Sequence, residues 1–124
     1  MVAGSMANFG SGNIIFHRAD ILYALEWAAA APGLGRWTVL LDDTEQTRLV
    51  SVVPPGTERP AFLITRSQEG VFVMPQAPGE EGLQIRRFGN LREAVLAICP
   101  LDDERAVAVN EAMEILYPRT LRSD

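Results

Sequence analysis

Short apolar runs alternate with turn residues through the middle of the chain. The runs contain many β-branched and aromatic residues, and they cover positions 37–41, 49–53, 61–65, 71–74 and 83–88. Polar, proline or glycine clusters separate them, with a spacing of about ten residues that is typical of strands joined by turns. The connections are too short for parallel crossovers. The pattern therefore predicts one antiparallel sheet of about five meandering strands.

Apolar residues at helical spacing precede this region. Asp20 is a suitable N-cap for a helix that runs to about Ala31, before Pro32 and Gly33. Its apolar face is predicted to consist of Ile21, Leu22, Leu25, Ala28 and Ala29. A short strand is expected just before it, at 14–17.

Two further helices are predicted after the sheet. Asn90 and Glu93 form a capping box for a helix that reaches about Cys99. Asp102 caps the second helix. The core stripe of this last helix is predicted to be Ala106, Val109, Met113 and Leu116.

These elements together predict an α+β fold. A single antiparallel sheet has one helix before it and two after it, and the helices pack on one face. We expect residues 1–13, rich in Gly, Ser and Asn, to form a flexible tail, 14–118 to form one domain, and 119–124 to form a frayed end.

Charge and hydropathy exclude several classes of partner. The 124 residues are 48% hydrophobic and 22% charged, with a net charge of −5. An acidic chain without a basic patch is not expected to bind nucleic acid or an anionic membrane. No apolar run reaches the length of a membrane span, and Asp20 and Glu26 make the stretch at 21–31 a poor signal peptide.

The inventory of reactive side chains is small. The chain has one histidine, His17, one cysteine, Cys99, and no lysine. A zinc site and a Schiff base are therefore not expected, and we predict no cofactor. A single thiol is typical of the reducing cytoplasm, and arginine without lysine favours a GC-rich bacterial source.

Two small clusters are the candidates for catalysis or metal binding. His17 with Asp20 has the spacing of an oriented base, although a polar junction before a helix explains both residues. Asp42, Asp43 and Glu45 offer oxygen ligands for Mg²⁺ or Ca²⁺, although they are also ordinary turn residues. A small hydrolase-like enzyme is accordingly the third functional hypothesis.

A binding site for an anionic metabolite is the second hypothesis. Arginine forks suit carboxylates and phosphates, and the candidate ligand residues are Arg48, Arg66, Arg86 and Trp37. The expected pocket lies between sheet and helices, lined by Trp37, Phe62 and Phe72. A solvated sheet face with ion pairs is the alternative explanation of the arginines.

The first helix supplies the leading hypothesis. Tyr23 and Trp27 are four residues apart on a flank turned away from the predicted core face, and Ala24 and Ala31 extend its apolar surface. Either the closing helices bury this flank or a partner does. We expect a non-catalytic bacterial interaction or regulatory module, homodimeric through this flank. Replacing Trp27 by a charged residue is then expected to give a folded monomer.

Overall fold

The computed structural model describes residues 13–76 and 84–118. The helices and strands in chain order are α1 (Arg18–Ala30), β1 (Thr38–Leu41), β2 (Leu49–Val53), β3 (Phe62–Ser67), β4 (Gly70–Pro75), β5 (Arg86–Phe88), α2 (Leu91–Ile98) and α3 (Asp103–Leu116). The α+β architecture predicted from the sequence is confirmed: one helix precedes a five-stranded sheet and two follow it. The predicted terminal tails lie outside the described residues, apart from Asn13.

The five strands form an antiparallel meander in the order β1-β2-β3-β4-β5. Val39 lies opposite Val52, Val50 opposite Ile64, and Ile64 opposite Val73. Because side chains alternate between the two faces of a strand, this register places the most deeply buried valines and Ile64 on one face. That face carries the core, and the helices pack against it.

The turn between β3 and β4 depends on a glycine. Gly70 has φ of 138°, a conformation that other residues rarely adopt, and a Cβ atom at this position would lie 2.8 Å from the carbonyl oxygen of Phe88. The glycine therefore allows β5 to approach the start of β4 closely.

Two predicted elements differ in the structure. Residues 14–17 do not form a strand, because they make only separate bonds at the ends of the sheet: the Ile14 amide donates to the Arg66 carbonyl and the Phe16 amide to the Thr47 carbonyl. Strand β5 is shorter than the predicted run at 83–88, of which residue 83 lies outside the described part.

Helix α1 begins earlier than predicted. His17 is the N-cap residue and Asp20 lies inside the first turn, so Asp20 is not the cap. No side chain caps this end, and the Ile21 amide makes the first helical bond to the carbonyl of His17. An acidic residue in the first turn still interacts favourably with the helix dipole.

The caps of the other two helices are confirmed. The Glu93 amide donates to the Asn90 side chain at 2.8 Å, and the Glu93 carboxylate accepts from the Gly89 amide at 3.0 Å. The Arg105 amide donates to Asp102 at 2.8 Å. In the predicted α3 stripe Val109 and Met113 are buried, but Leu116 is exposed.

The helices form two layers on one side of the sheet. Helix α1 packs against β1, α2 and α3, whereas α2 packs against β4 and β5. Helix α1 therefore lies in the middle of the packing, covered by α3 from outside. In the described ranges 13–76 and 84–118, no helix has both the length and the apolar character required to cross a bilayer.

Candidate functional site

The aromatic flank of α1 lies in the core. Trp27 has no exposed surface and Tyr23 only 4%, and Ala24 and Ala31 are buried with them. The Trp27 indole N–H donates to the Cys99 carbonyl at 2.9 Å, and its ring centroid is 5.3 Å from that of Trp37. These four residues are already covered by their own chain, so they no longer support an interface on this flank.

The physical reason is the position of α1 between two layers. The closing helices cover the flank that was expected to remain open, and on the predicted core face Leu25 and Ala29 are exposed instead. A helix that is apolar around most of its circumference fits such an enclosed position. The prediction failed because a sequence pattern shows that a face is apolar but not which neighbour covers it.

We call the face of the sheet turned away from the helices the outer sheet face. Beside the pair Thr38 and Val53, it carries two rows of side chains that extend from the β1 edge to the β5 edge. The first row runs across the sheet through Asp42, Leu49, Thr65, Phe72 and Arg87. The second row runs parallel to it through Leu40, Ser51, Leu63, Met74 and Ile85. Asp42 and Ile85 lie one residue beyond their strands and continue the same alternation.

The middle of the outer sheet face is mainly apolar, with Ser51 and the buried Thr65 as its polar positions. Leu49, Leu63, Phe72 and Met74 are half-buried, and none belongs to the core cluster of the described residues. At the two edges the side chains are open: Leu40 is 50% exposed and Ile85 58%. Large exposed apolar patches on soluble domains are often interaction sites.

Charge is confined to the ends of the first row. Asp42 lies at the β1 edge and Arg87 at the β5 edge, and both are exposed. Asp42 Oδ1 accepts the amides of Arg48 and Leu49, which holds the carboxylate in place. The first row thus has a negative end at β1 and a positive end at β5.

The predicted base, His17, is brought next to Arg66. The Arg66 guanidinium lies 3.1 Å from His17 Nε2 and also donates to the Ile15 carbonyl. Burial raises the pKa of Asp20 above its ordinary value of 3.8, against the opposing effect of His17, Arg92 and Arg66. Within the described ranges no hydroxyl or thiol is hydrogen-bonded to His17, so His17 has no nucleophile to activate. Its contact with Arg66 links the start of α1 to β3.

The acidic turn is organised around its own backbone. Asp43 Oδ1 accepts the amides of Glu45 and Gln46 at 2.8 and 3.0 Å, and these bonds lower the pKa of Asp43. The part of the chain that the structure describes holds no group of three or more His, Cys, Asp or Glu side chains arranged for a metal ion. Asp42, Asp43 and Glu45 are accounted for by the turn.

The candidate arginines do not converge. Arg66 binds the Ile15 carbonyl and contacts His17, whereas Arg86 lies over the Phe88 ring at 5.1 Å, and Arg48 is an exposed residue at the start of β2. The anion site expected from these three residues has no common centre.

The expected pocket is divided by the sheet. Phe62 packs on the core side, as does Trp37, which donates its indole N–H to the Pro32 carbonyl at 2.9 Å. Phe72 lies on the outer sheet face. A groove of about 660 Å³ lies instead at the β2–β3 connection, lined mainly by Pro54, Arg59, Pro60, Ala61 and Gln76.

The outer sheet face was missed at the level of sequence, although a signal for it exists. In β3 and β4 apolar residues occupy both alternating sets of positions, as Leu63 beside Ile64 and Phe72 beside Val73 show. Continuous apolar strands are typical of sheets covered on both faces. Comparison of the chain with protein-family models, with characterised proteins and with solved structures gives no match.

Proposed function

We propose that this protein is a non-catalytic interaction module that works as a homodimer and binds through its outer sheet face. The observation that carries the proposal is the row of apolar side chains through Leu40, Leu63, Met74 and Ile85, on the face opposite the helices. Sheets with both faces apolar bury each of them in known architectures. The helices cover one face of this sheet, and the second copy covers the outer sheet face.

The reactive groups support a role without catalysis. His17 contacts Arg66, the turn carboxylates Asp42 and Asp43 accept backbone amides, and burial raises the pKa of the single thiol, Cys99. A partly buried thiol of raised pKa is a poor nucleophile. We place the module in the reducing cytoplasm, where a lone cysteine remains a thiol.

The proposal is tested by the mass of the protein in solution. Light scattering after gel filtration is expected to give about twice the chain mass of 13.6 kDa at high protein concentration. Leu63→Asp places a charge in the centre of the outer sheet face, and we expect it to give a folded monomer, because an unpaired charge there cannot be buried.

A matched control is available on the other side of the molecule. Ile115 on α3 is 79% exposed, so Ile115→Asp introduces the same charge away from the sheet and is expected to leave the mass unchanged. Circular dichroism checks that both variants fold. A wild-type protein that remains a monomer at high concentration, or a Leu63→Asp dimer, would overturn the proposal.

A further inference from the structure

We propose that the two copies pack outer face on outer face around a two-fold axis that runs parallel to β3. This inference rests on the proposed function and deepens it, because it specifies how the second copy is oriented. Facing sheets pack about 10 Å apart, with strand directions within about 30° of each other. The order of the side chains in the two rows distinguishes between the possible orientations of the two-fold axis.

A rotation about an axis along β3 reverses the order of the strands and leaves each row at its own level. Strand β3 then covers its own copy, and β1 covers β5 of the partner subunit. In the first row Asp42 faces Arg87 of the partner subunit, and Leu49 faces Phe72 of the partner subunit. Each pair occurs twice because the interface is isologous.

The edges and the centre of the second row are complementary in the same way. Leu40 faces Ile85 of the partner subunit, so the two large apolar side chains that are most exposed at the edges of the face, at 50% and 58%, cover each other. Leu63 faces its own copy near the axis. Ser51 faces Met74 of the partner subunit and is the polar position of this row. The charged pair and the apolar pairs at the other positions are complementary.

The other in-plane axis, perpendicular to the strands, gives a mismatch. It keeps each strand over its own copy and exchanges the two rows. Asp42 would then face Leu40 of the partner subunit, and Arg87 would face Ile85 of the partner subunit. Charges desolvated against apolar side chains cost free energy without a compensating partner, so the arrangement along β3 is favoured.

The outer sheet face is small, which determines how the affinity of the dimer is measured. The two rows supply ten positions per copy, fewer than the roughly 20–30 residues per side of a standard interface. We therefore expect modest affinity, and dissociation constants are measured by sedimentation equilibrium over a wide range of protein concentration.

The test uses complementary charges at positions 40 and 85. Leu40→Lys alone and Ile85→Glu alone are each expected to weaken the dimer by about tenfold or more, because each places a charge against an apolar side chain of the partner. The double variant is expected to recover most of the affinity, since Lys at 40 then faces Glu at 85 across the interface. Positions 40 and 85 lie at opposite edges of one sheet, so rescue within a single copy is not available.

The outcomes separate this inference from the proposed function. Under the perpendicular axis each single charge would meet an opposite charge, Asp42 or Arg87, and would not weaken the dimer. The inference is overturned if the single variants leave the dissociation constant unchanged, or if the double variant dimerises no more tightly than the single variants. The proposed function still stands in that case if Leu63→Asp is monomeric. A wild-type protein that remains a monomer overturns both this inference and the proposed function.

A second measurement does not depend on the apolar pair. Asp42→Asn keeps an oxygen that accepts the amides of Arg48 and Leu49 but removes the charge. It is expected to weaken the dimer severalfold and to reduce the dependence of the dissociation constant on salt. An unchanged salt dependence would contradict the pairing of Asp42 with Arg87 of the partner subunit.

Discussion

Trp27 shows how one side chain connects the helical layers. Its indole N–H donates to the carbonyl of Cys99, the C-cap residue that follows α2, and its ring packs against Trp37. Carbonyls at a helix end have no partner within the helix. A residue of α1 therefore completes the end of α2, and this contact fixes the two helices relative to each other.

Trp27 substitutions are expected to act on stability. Trp27→Phe keeps most of the apolar volume but leaves the Cys99 carbonyl without its donor, so the free energy of unfolding falls by about 1–3 kcal/mol. Trp27→Asp is expected to unfold the chain, contrary to the folded monomer expected from the sequence. Urea unfolding measures both variants, with Trp37→Phe as a control on the more exposed ring. A Trp27→Asp variant with native stability would contradict the core assignment.

Asp20 gives a pH-dependent prediction. Burial raises its pKa in the folded state above 3.8, so the ionised carboxylate lowers stability near neutral pH. Asp20→Asn, which carries no charge at any pH, is expected to be more stable than the wild type at pH 7. The difference is expected to shrink as pH falls through the folded-state pKa and to vanish below about 3.8. Urea unfolding from pH 7 downwards tests this, and a less stable variant at pH 7 would show that the neighbouring cations outweigh burial.

At the scale of elements, the β3–β4 hairpin depends on Gly70. Gly70→Ala combines an unfavourable φ of 138° with a contact of 2.8 Å to the Phe88 carbonyl, and we expect a loss of about 1–3 kcal/mol in the free energy of unfolding.

Gly56→Ala is the matched control for this hairpin. Gly56 also has a positive φ, of 81°, but open space surrounds its Cβ position. We expect a smaller loss for Gly56→Ala in thermal and urea unfolding. Equal losses in the two variants would show that the close approach of β5 contributes nothing.

Local sequence signals predicted the elements and their caps, but not their surroundings. The apolar runs identified five strands, and Asn90 with Glu93 and Asp102 marked two helix starts, because these features act within a few residues. The covered side of α1 and the placement of Phe72 depend on contacts between distant elements. For that reason the flank with Tyr23 and Trp27 is in the core, whereas Leu40 and Ile85 are exposed at the edges of the outer sheet face.

At the scale of the whole molecule, the packing is asymmetric. Both helical layers lie on one side of the sheet, and the other side presents Leu63, Phe72 and Met74. The covered side accounts for the core, and the open side accounts for the proposed association. The sheet thus organises the fold through one face, and we propose that it binds a second copy through the other.

The methyl group of Met74 reports directly on the outer sheet face. Met74 lies in the second row, whereas Met113 on α3 is 5% exposed and belongs to the core. The protein is labelled at its methionine methyl groups, and a soluble paramagnetic agent is added at low and at high protein concentration. We predict that the Met74 signal is broadened in dilute solution and protected in concentrated solution, while Met113 is protected in both. Equal broadening of Met74 at every concentration would contradict the claim that a second copy covers this face.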